Sequence, residues 1–353
     1  MSEAPGGRWS DLLARVIARE NLTAEETAWA MDQVMTDRTS PGVLGGFLVG
    51  LATKGETVEE VRGFADAMLA HAEPIDVDGS DVVDVVGTGG DRMHTVNIST
   101  MASLVVAGTG VGVVKHGNRA ASSSSGSADV LEALGVGLGI PIDRVGHVYA
   151  EAGITFCFAT VFHPSMRFAG PTRRELGVGT VFNILGPLTN PARPGAGAIG
   201  VARAAVAPLV AGVLAGRGTS ALVFRGRNGL DEMSATTLND VLEVRAGTVV
   251  EHTVDAVADL GLEATTVEQL RGKDAAHNAD VARRLLGGEG GPVREAVLLN
   301  AAAALVAHGR LPGTSHQEGT LVDRLRAGLE HAARAVDSGA AAAVLERWAA
   351  LTR

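Results

Sequence analysis

Three separated stretches of this 353-residue chain carry residue types that suit a polyphosphate. The first is Gly87-Thr88-Gly89-Gly90-Asp91, at the end of the apolar run Val82 to Val86, followed by Asn97-Ile98-Ser99-Thr100 at the head of a helical pattern. Glycines let backbone N–H groups close on an oxyanion, and the unpaired N–H groups and dipole of a helix start favour a second one. The second stretch runs from Lys115-His116-Gly117-Asn118-Arg119-Ala120 through a serine tract to Gly126-Ser127-Ala128-Asp129. Two cations and a hydroxyl-rich loop ending at a helix start form another anion cradle. A flexible linker is the competing reading of a serine tract. Its place between two core elements, and its use of Lys115 when the only other lysines are Lys54 and Lys273, favour the cradle. The third stretch is Asp231-Glu232, after the turn Gly226 to Gly229. Neighbouring carboxylates at a strand end can hold Mg²⁺, which takes one or two of them and completes its shell with phosphate oxygens. Alone they read as a solvated turn; beside two anion cradles a metal is expected. The first cradle has neither the spacing of a dinucleotide fingerprint nor the Gly-Lys-Ser/Thr of a P-loop.

A fourth segment, His163-Pro164-Ser165-Met166-Arg167 and then Arg173-Arg174-Glu175, offers an arginine fork for a carboxylate, and the residues alone fit a surface arginine pair equally well.

The elements that must position these groups come in two styles. Up to about residue 72 the pattern is helical only, with Thr23/Glu26 and Thr57/Glu60 as capping boxes and Leu44, Phe47, Leu48 and Leu51 on one face of a helix from Pro41 to Lys54. From Asp81 onward strands alternate with helices. Strands are expected at 82–86, 111–114, 154–158, 196–201 and 221–224, and helices at 98–107, 128–134, 142–152 and 204–215. Lys115 and the residues after it are placed beyond the second strand. A hairpin about Ala246-Gly247 follows, and Ala-rich helices at 293–307 and 321–335 close the chain. The expected fold class is α/β: a small N-terminal helical domain plus a larger α/β domain with a central, mostly parallel sheet. Domain boundaries are set at 1–73 and 74–353, with a helical part of 163–190 completing the first, and the helical unit is a natural dimer surface.

Composition narrows the partners. Apolar residues make up 46% and charged residues 20%, which is globular, and the formal net charge of −10 argues against nucleic acid or an acidic membrane. The single cysteine, Cys157, lies in the apolar run Ile154 to Phe158 and reads as core. The N-terminal Met1-Ser2-Glu3-Ala4-Pro5 has neither a basic start nor an apolar run, so no signal peptide is read and a cytoplasmic location is expected.

With these segments in order, the chain resembles the anthranilate phosphoribosyltransferase family of tryptophan biosynthesis. The resemblance rests on the motifs above together with Thr180-Val181-Phe182-Asn183, Gly186-Pro187-Leu188-Thr189-Asn190-Pro191 and Gly229-Leu230-Asp231-Glu232. It implies transfer of a phosphoribosyl group from phosphoribosyl pyrophosphate to the anthranilate amine in a homodimer. Implied donor contacts are Gly87, Gly90, Asp91, Thr95, Asn97, Ile98, Ser99, Thr100, Lys115, His116, Gly117, Asn118, Arg119, Ala120, Ala121, Ser122, Ser123 and Ser127. Implied acceptor contacts are Gly87, Asn118 and Arg173, the last meeting the carboxylate, with His116 and His163 beside the pocket. Ser99, Asp231 and Glu232 match the magnesium ligands, and two Mg²⁺ ions are expected. The resemblance implies that many relatives carry Arg where this chain has Gly179 and His where it has Arg225, departures that bear on acceptor affinity more than on reaction class.

An aromatic amine is neutral at pH 7 and needs no strong base, which fits the lack of a Ser–His–Asp or Cys–His arrangement. Rate must then come from holding the partners together and stabilising the leaving pyrophosphate. A pyrimidine nucleoside phosphorylase, which shares a Gly-Thr-Gly-Gly start, is the nearest rival. It gives Asp231-Glu232 no duty and uses a different motif where this chain has Lys115 to Arg119. A non-catalytic nucleic-acid binder or sensor on the same fold would have lost acceptor residues or gained a basic face.

Overall fold

The computed structural model describes residues 9–120 and 125–353. Helices α1 (Trp9–Ile17), α2 (Ala24–Met35), α3 (Pro41–Lys54) and α4 (Val58–Ala70) form the N-terminal bundle. Both expected capping boxes are present, Thr23 with Glu26 and Thr57 with Glu60. Glu60 is fully buried because it also accepts from the Leu22 amide at 2.8 Å and from Lys54 Nζ at 2.9 Å, so one carboxylate ties three chain segments. The predicted face of α3, Leu44, Phe47, Leu48 and Leu51, is buried, with Phe47 edge-on to Trp9.

The α/β part follows as β1 (Val82–Gly87), α5 (Ile98–Gly108), β2 (Gly112–Gly117), α6 (Ser127–Ala133), α7 (Ile142–Ala152) and β3 (Ile154–Phe158). Short helices α8 (Ala159–Phe162), α9 (Gly170–Leu176) and α10 (Phe182–Leu185) precede β4 (Ala196–Gly200), α11 (Ala207–Arg217) and β5 (Ser220–Gly226). The hairpin is β6 (Asn239–Arg245) and β7 (Thr248–Val254), and α12 (Ala275–Leu286), α13 (Pro292–His308), α14 (Leu321–Asp337) and α15 (Ala340–Leu351) end the chain. The strand order is β3-β2-β1-β4-β5-β6-β7, parallel through β5 and antiparallel beyond it. At the hairpin Ala246 and Gly247 both have positive φ, 46° and 76°, the twist that a two-residue hairpin loop requires.

Alternation along the strands divides the core. Ala198, Leu222 and Phe224 face α5 and α13, whereas Ile199, Ala221 and Val223 share a cluster with the N-terminal bundle, α11 and residues of α10. Helix α13 is buried from Ala296 to Ala307 on every side, and its run of alanines lets α5, α14, β1, β4 and β5 approach it closely. No helix among the described residues is long and apolar enough to cross a membrane.

Two expectations change. Strand β2 starts at Gly112 and continues to Gly117, pairing Lys115, His116 and Gly117 with Phe156, Cys157 and Phe158. Lys115 and His116 are therefore strand residues rather than loop residues; polarity suggested an end where the hydrogen-bond ladder continues. The expected helix at 204–215 is a 3₁₀ turn, Ala204–Val206, followed by α11, which starts where Pro208 supplies a ready-made first turn. Helices α12 and α15 were not read from the sequence.

Candidate active site

Strands β2 and β3 extend one side of β1 and β4 lies on its other side, so the connection reverses direction between β1 and β4. In open α/β sheets ligands bind at the carboxyl ends of the strands at such a reversal. Here Gly87 of β1 pairs with Gly200 of β4, and the segment bearing Asp231 crosses directly above them. A Cβ on Gly200 would stand 1.6 Å from the Asp231 carbonyl oxygen, and one on Gly87 would stand 2.5 Å from Asp231 Oδ2. Only hydrogen side chains allow that crossing.

The crossing sets the acids. Asp231 Oδ2 accepts from the Gly89 amide at 2.7 Å and Glu232 Oε1 from the Ser99 amide at 3.2 Å, which draws the loop of residues 87–91, the start of α5 and the Asp-Glu pair into one cluster. Burial, then the charge of Asp91 and a hydrogen bond to it, push Asp231 up to about 7. Burial and the neighbouring Asp231 push Glu232 well up too, with Lys115 opposing. Lys115, 2% exposed, reaches under the cleft to the Val85 carbonyl and to Ser99 Oγ at 3.2 Å. Burial lowers its pKa, while Asp84 and Glu232 hold it up. Two buried carboxylates whose charged forms are disfavoured without a cation are a fitting donor set for a hard divalent ion. Among the described residues no group of three or more His, Cys, Asp or Glu side chains is placed to hold a metal. An ion held by Ser99, Asp231 and Glu232 would complete its shell with ligand oxygens.

Around this cluster lies a cleft of about 340 Å³. Its lining contains every described residue named above as a donor contact: Gly87, Gly90, Asp91, Thr95, Asn97, Ile98, Ser99, Thr100, Lys115, His116, Gly117, Asn118, Arg119, Ala120 and Ser127. Ala121, Ser122 and Ser123 lie outside the described residues. Helix α5 starts without a side-chain cap, because Asn97 is turned to the Ser125 carbonyl at 3.0 Å and to Asn278 at 2.8 Å. The Thr100 hydroxyl is buried and has no partner among the described residues. Such a helix start is suited to an anion. Arg119 is placed differently from a free cation: its guanidinium is held by Asp129 at 2.9 Å and Glu132 at 2.6 Å, so its charge is already paired.

A second cavity, about 650 Å³, shares Gly87, Thr88, His116, Gly117 and Asn118 with the first and continues to His163, Met166, Arg173 and Phe182. Gly87, Asn118 and Arg173 are thus brought together. The Arg173 guanidinium lies 5.0 Å above the Phe182 ring, burial lowers its pKa, and no carboxylate among the described residues pairs with it. His116 Nδ1 meets the Gly186 carbonyl and His163 Nε2 the Thr189 carbonyl, each at 2.8 Å. Burial first, together with the Lys115 charge for His116 and with His116 for His163, lowers both to about 4, so this pocket is floored by neutral rings. Gly179 lines a third, outer cleft with Arg174 and Arg203, and Arg225 donates to the Ala202 carbonyl at 3.0 Å. Cys157 is fully buried and burial raises its thiol pKa, as a core role requires.

Asp84 was missed. It is 2% exposed below the cleft, accepts from the His116 amide at 3.1 Å and from Asn190 Nδ2 at 2.9 Å, and is pushed up to about 6 by burial. Asn190 also donates to the Val114 carbonyl, so this pair fixes the 186–190 segment that orients both imidazoles. The available signal was an acid inside an otherwise apolar strand.

Fold and site together define an α/β protein with a polyanion cleft beside a neutral pocket at the sheet's switch point. Residues 10–72 match the helical bundle domain of the glycosyl transferase family and residues 79–342 match its a/b domain. Anthranilate phosphoribosyltransferase of Arthrobacter sp. (strain FB24) is 58% identical over 352 residues, covering 100% of this chain and 98% of the relative. That of Streptomyces griseus is 58% identical, covering 97% and 94%. Among solved structures, the Thermus thermophilus anthranilate phosphoribosyltransferase is 41% identical and superposes with a TM-score of 0.88 over 97% of this chain and 99% of that one. The Saccharomyces cerevisiae enzyme in complex with PRPP and Mg is 24% identical with a TM-score of 0.86 over 98% and 97%, a likeness of fold. The chain belongs to the anthranilate phosphoribosyltransferases of this glycosyl transferase family.

Proposed function

We propose that this enzyme transfers the phosphoribosyl group of phosphoribosyl pyrophosphate to the amine of anthranilate, releasing pyrophosphate, as a step of tryptophan biosynthesis. The observation that carries the reading is the seam between the two cavities. A cleft rich in backbone donors, a lysine and paired acids meets a neutral pocket with one buried arginine at Gly87, Thr88 and Asn118. In this reading the diphosphate lies against the Gly87 to Asp91 amides, the start of α5 and Lys115. The anthranilate ring lies against Phe182 and Met166 with its carboxylate on Arg173 and Asn118 nearby. Ser99, Asp231 and Glu232 would hold magnesium, as two ions. Bound there, the metal would supply charge neutralisation for the leaving pyrophosphate. The chain's own share is to hold the amine and C1 in line across the seam and to keep water out of a pocket made of apolar walls and uncharged imidazoles. As the C1–N bond forms, the C1–O bond to pyrophosphate breaks and its electron pair leaves with the pyrophosphate.

Residues 1–73 with the helical part of 163–190 serve as the dimerising domain and residues 74–353 as the donor domain of a cytoplasmic homodimer. Ile17, 78% exposed at the end of α1, is an apolar group that a partner would cover. The test is anthranilate fluorescence followed with phosphoribosyl pyrophosphate, with and without Mg²⁺. Consumption that needs both donor and metal is expected, and consumption with inorganic phosphate and a nucleoside instead would replace this reading with phosphorolysis.

A further inference from the structure

Between the first anion cradle and α5 the backbone does something costly. Arg92 and His94 both adopt left-handed conformations, with φ of 59° and 53°, directly after Gly89 and Gly90, which have φ of 68° and 85°. Glycines hold that conformation without strain, but side chains with a Cβ do so at a cost, and a sequence that places two of them there is held by something else. The residue between them shows what holds it. The Met93 amide donates to Asp91 Oδ1 at 3.1 Å, and the Met93 side chain packs against the α/β core. The His94 carbonyl accepts from the Gly272 amide at 2.7 Å, and Thr95 bridges to Arg271. With Met93 anchored inward, Arg92 and His94 are both turned to the donor cleft, which they line.

Neither side chain is spent elsewhere. No hydrogen bond or ion pair among the described residues engages the Arg92 guanidinium, although carboxylates hold Arg119 on the same cleft. His94 Nδ1 is buried and has no partner among the described residues. A hydrogen on that nitrogen would be a buried, unsatisfied donor, which leaves Nε2 as the N–H available to meet a ligand. We propose that Arg92 and His94 form a strained hook that binds a phosphate oxyanion of the sugar donor, Arg92 by charge and His94 by its Nε2–H. This adds two donor-binding residues to the set above and rests on the phosphoribosyl transfer reading. The shared chemistry is a phosphate, from either the pyrophosphate or the 5′-phosphate end.

Glycine is the informative replacement, because it keeps the left-handed backbone while deleting both side chains. Calorimetric titration of the full-length wild type and of Arg92→Gly/His94→Gly would use inorganic pyrophosphate with Mg²⁺ in one arm and ribose 5-phosphate in the other. The hook predicts about tenfold weaker binding in one arm, the size of one charge-assisted hydrogen bond lost, with anthranilate KM unchanged and Tm unchanged or raised. The weakened arm identifies the end that is held. Wild-type affinity in both arms overturns the hook, and so does a loss of binding accompanied by a lowered Tm, which would make the two residues structural. His94→Asn, which tolerates the left-handed conformation and has a shorter reach, separates the pair: unchanged affinity there removes His94. If wild type itself transfers nothing to anthranilate, the reaction reading fails, while the pyrophosphate and ribose 5-phosphate arms still decide the hook.

Discussion

The donor cleft and the acceptor pocket share a wall yet are built on opposite electrostatic plans. In the donor cleft Asp231, Glu232, Asp91 and Lys115 are crowded together, and burial makes the charged state of the first two unfavourable. The acceptor pocket holds two histidines that burial keeps neutral and one arginine stacked on a phenylalanine. The difference follows the reaction. The donor arrives with charge that must be neutralised and leaves with more of it, whereas the amine must stay uncharged to attack. In the proposed reading one side is a frame for a cation and a polyanion, and the other excludes charge except at Arg173, where the acceptor carboxylate would dock.

Removing the donor side's acids should have the largest effect. Asp231→Asn with Glu232→Gln is expected to lower kcat by about 10³-fold or more and abolish its dependence on Mg²⁺, with the far-ultraviolet spectrum unchanged. Residual magnesium-dependent turnover near the wild-type rate would remove the metal assignment. Next, Arg173→Ala should raise the anthranilate KM by about 10²-fold, the loss of a charge-assisted pair, and leave the donor KM unmoved. Equal effects on both constants would erase the division between the two sides.

How much of this division could be read from sequence depended on where the signal was local. The glycine loop, the start of α5 and the Asp-Glu pair are each contiguous, and the strands that carry them read cleanly from their apolar runs. Lys115 was placed one element out, because a polar residue in a fully buried parallel strand looks like a strand end. Asp84 and Asn190, 106 positions apart, were invisible as a pair, since only the β1–β2 alignment and the 186–190 segment bring them together. The same holds for the hook: a left-handed arginine or histidine leaves no mark on composition or periodicity. Helices α12 and α15 were missed because no capping signal was read for them, although Asp274 does cap α12.

A smaller effect tests the neutral floor of the acceptor pocket. Burial holds the folded pKa of His163 at about 4, below the ordinary histidine value of 6.5, so between these values the unfolded chain binds more protons and this residue's contribution to stability falls as pH falls. Asp84 and Asp231, raised to about 6 and about 7, act in the opposite direction, so the readout is a difference between proteins. His163→Phe should gain on wild type by about 2 kcal/mol between pH 6 and pH 4.5, seen as converging or crossing Tm curves. Parallel curves would mean that the ring is not held neutral. The smallest change is expected at the mouth. Gly179 has open space around it and no positive φ, so Gly179→Arg should fold normally and lower the anthranilate KM by about twofold at low salt, fading as salt rises. An unchanged KM at every ionic strength would show that charge at the outer cleft does not guide the acceptor.

The central claim is that the glycine crossing at Gly87 and Gly200 gathers a donor site that is complete only with a divalent cation. Calorimetric titration of phosphoribosyl pyrophosphate into the protein with Mg²⁺ and with a chelator, for wild type and for Asp231→Asn/Glu232→Gln, tests it directly. Tight binding by wild type with Mg²⁺, at least about tenfold weaker binding with chelator, and no metal effect in the double variant are expected. Equal affinity under all four conditions would contradict it.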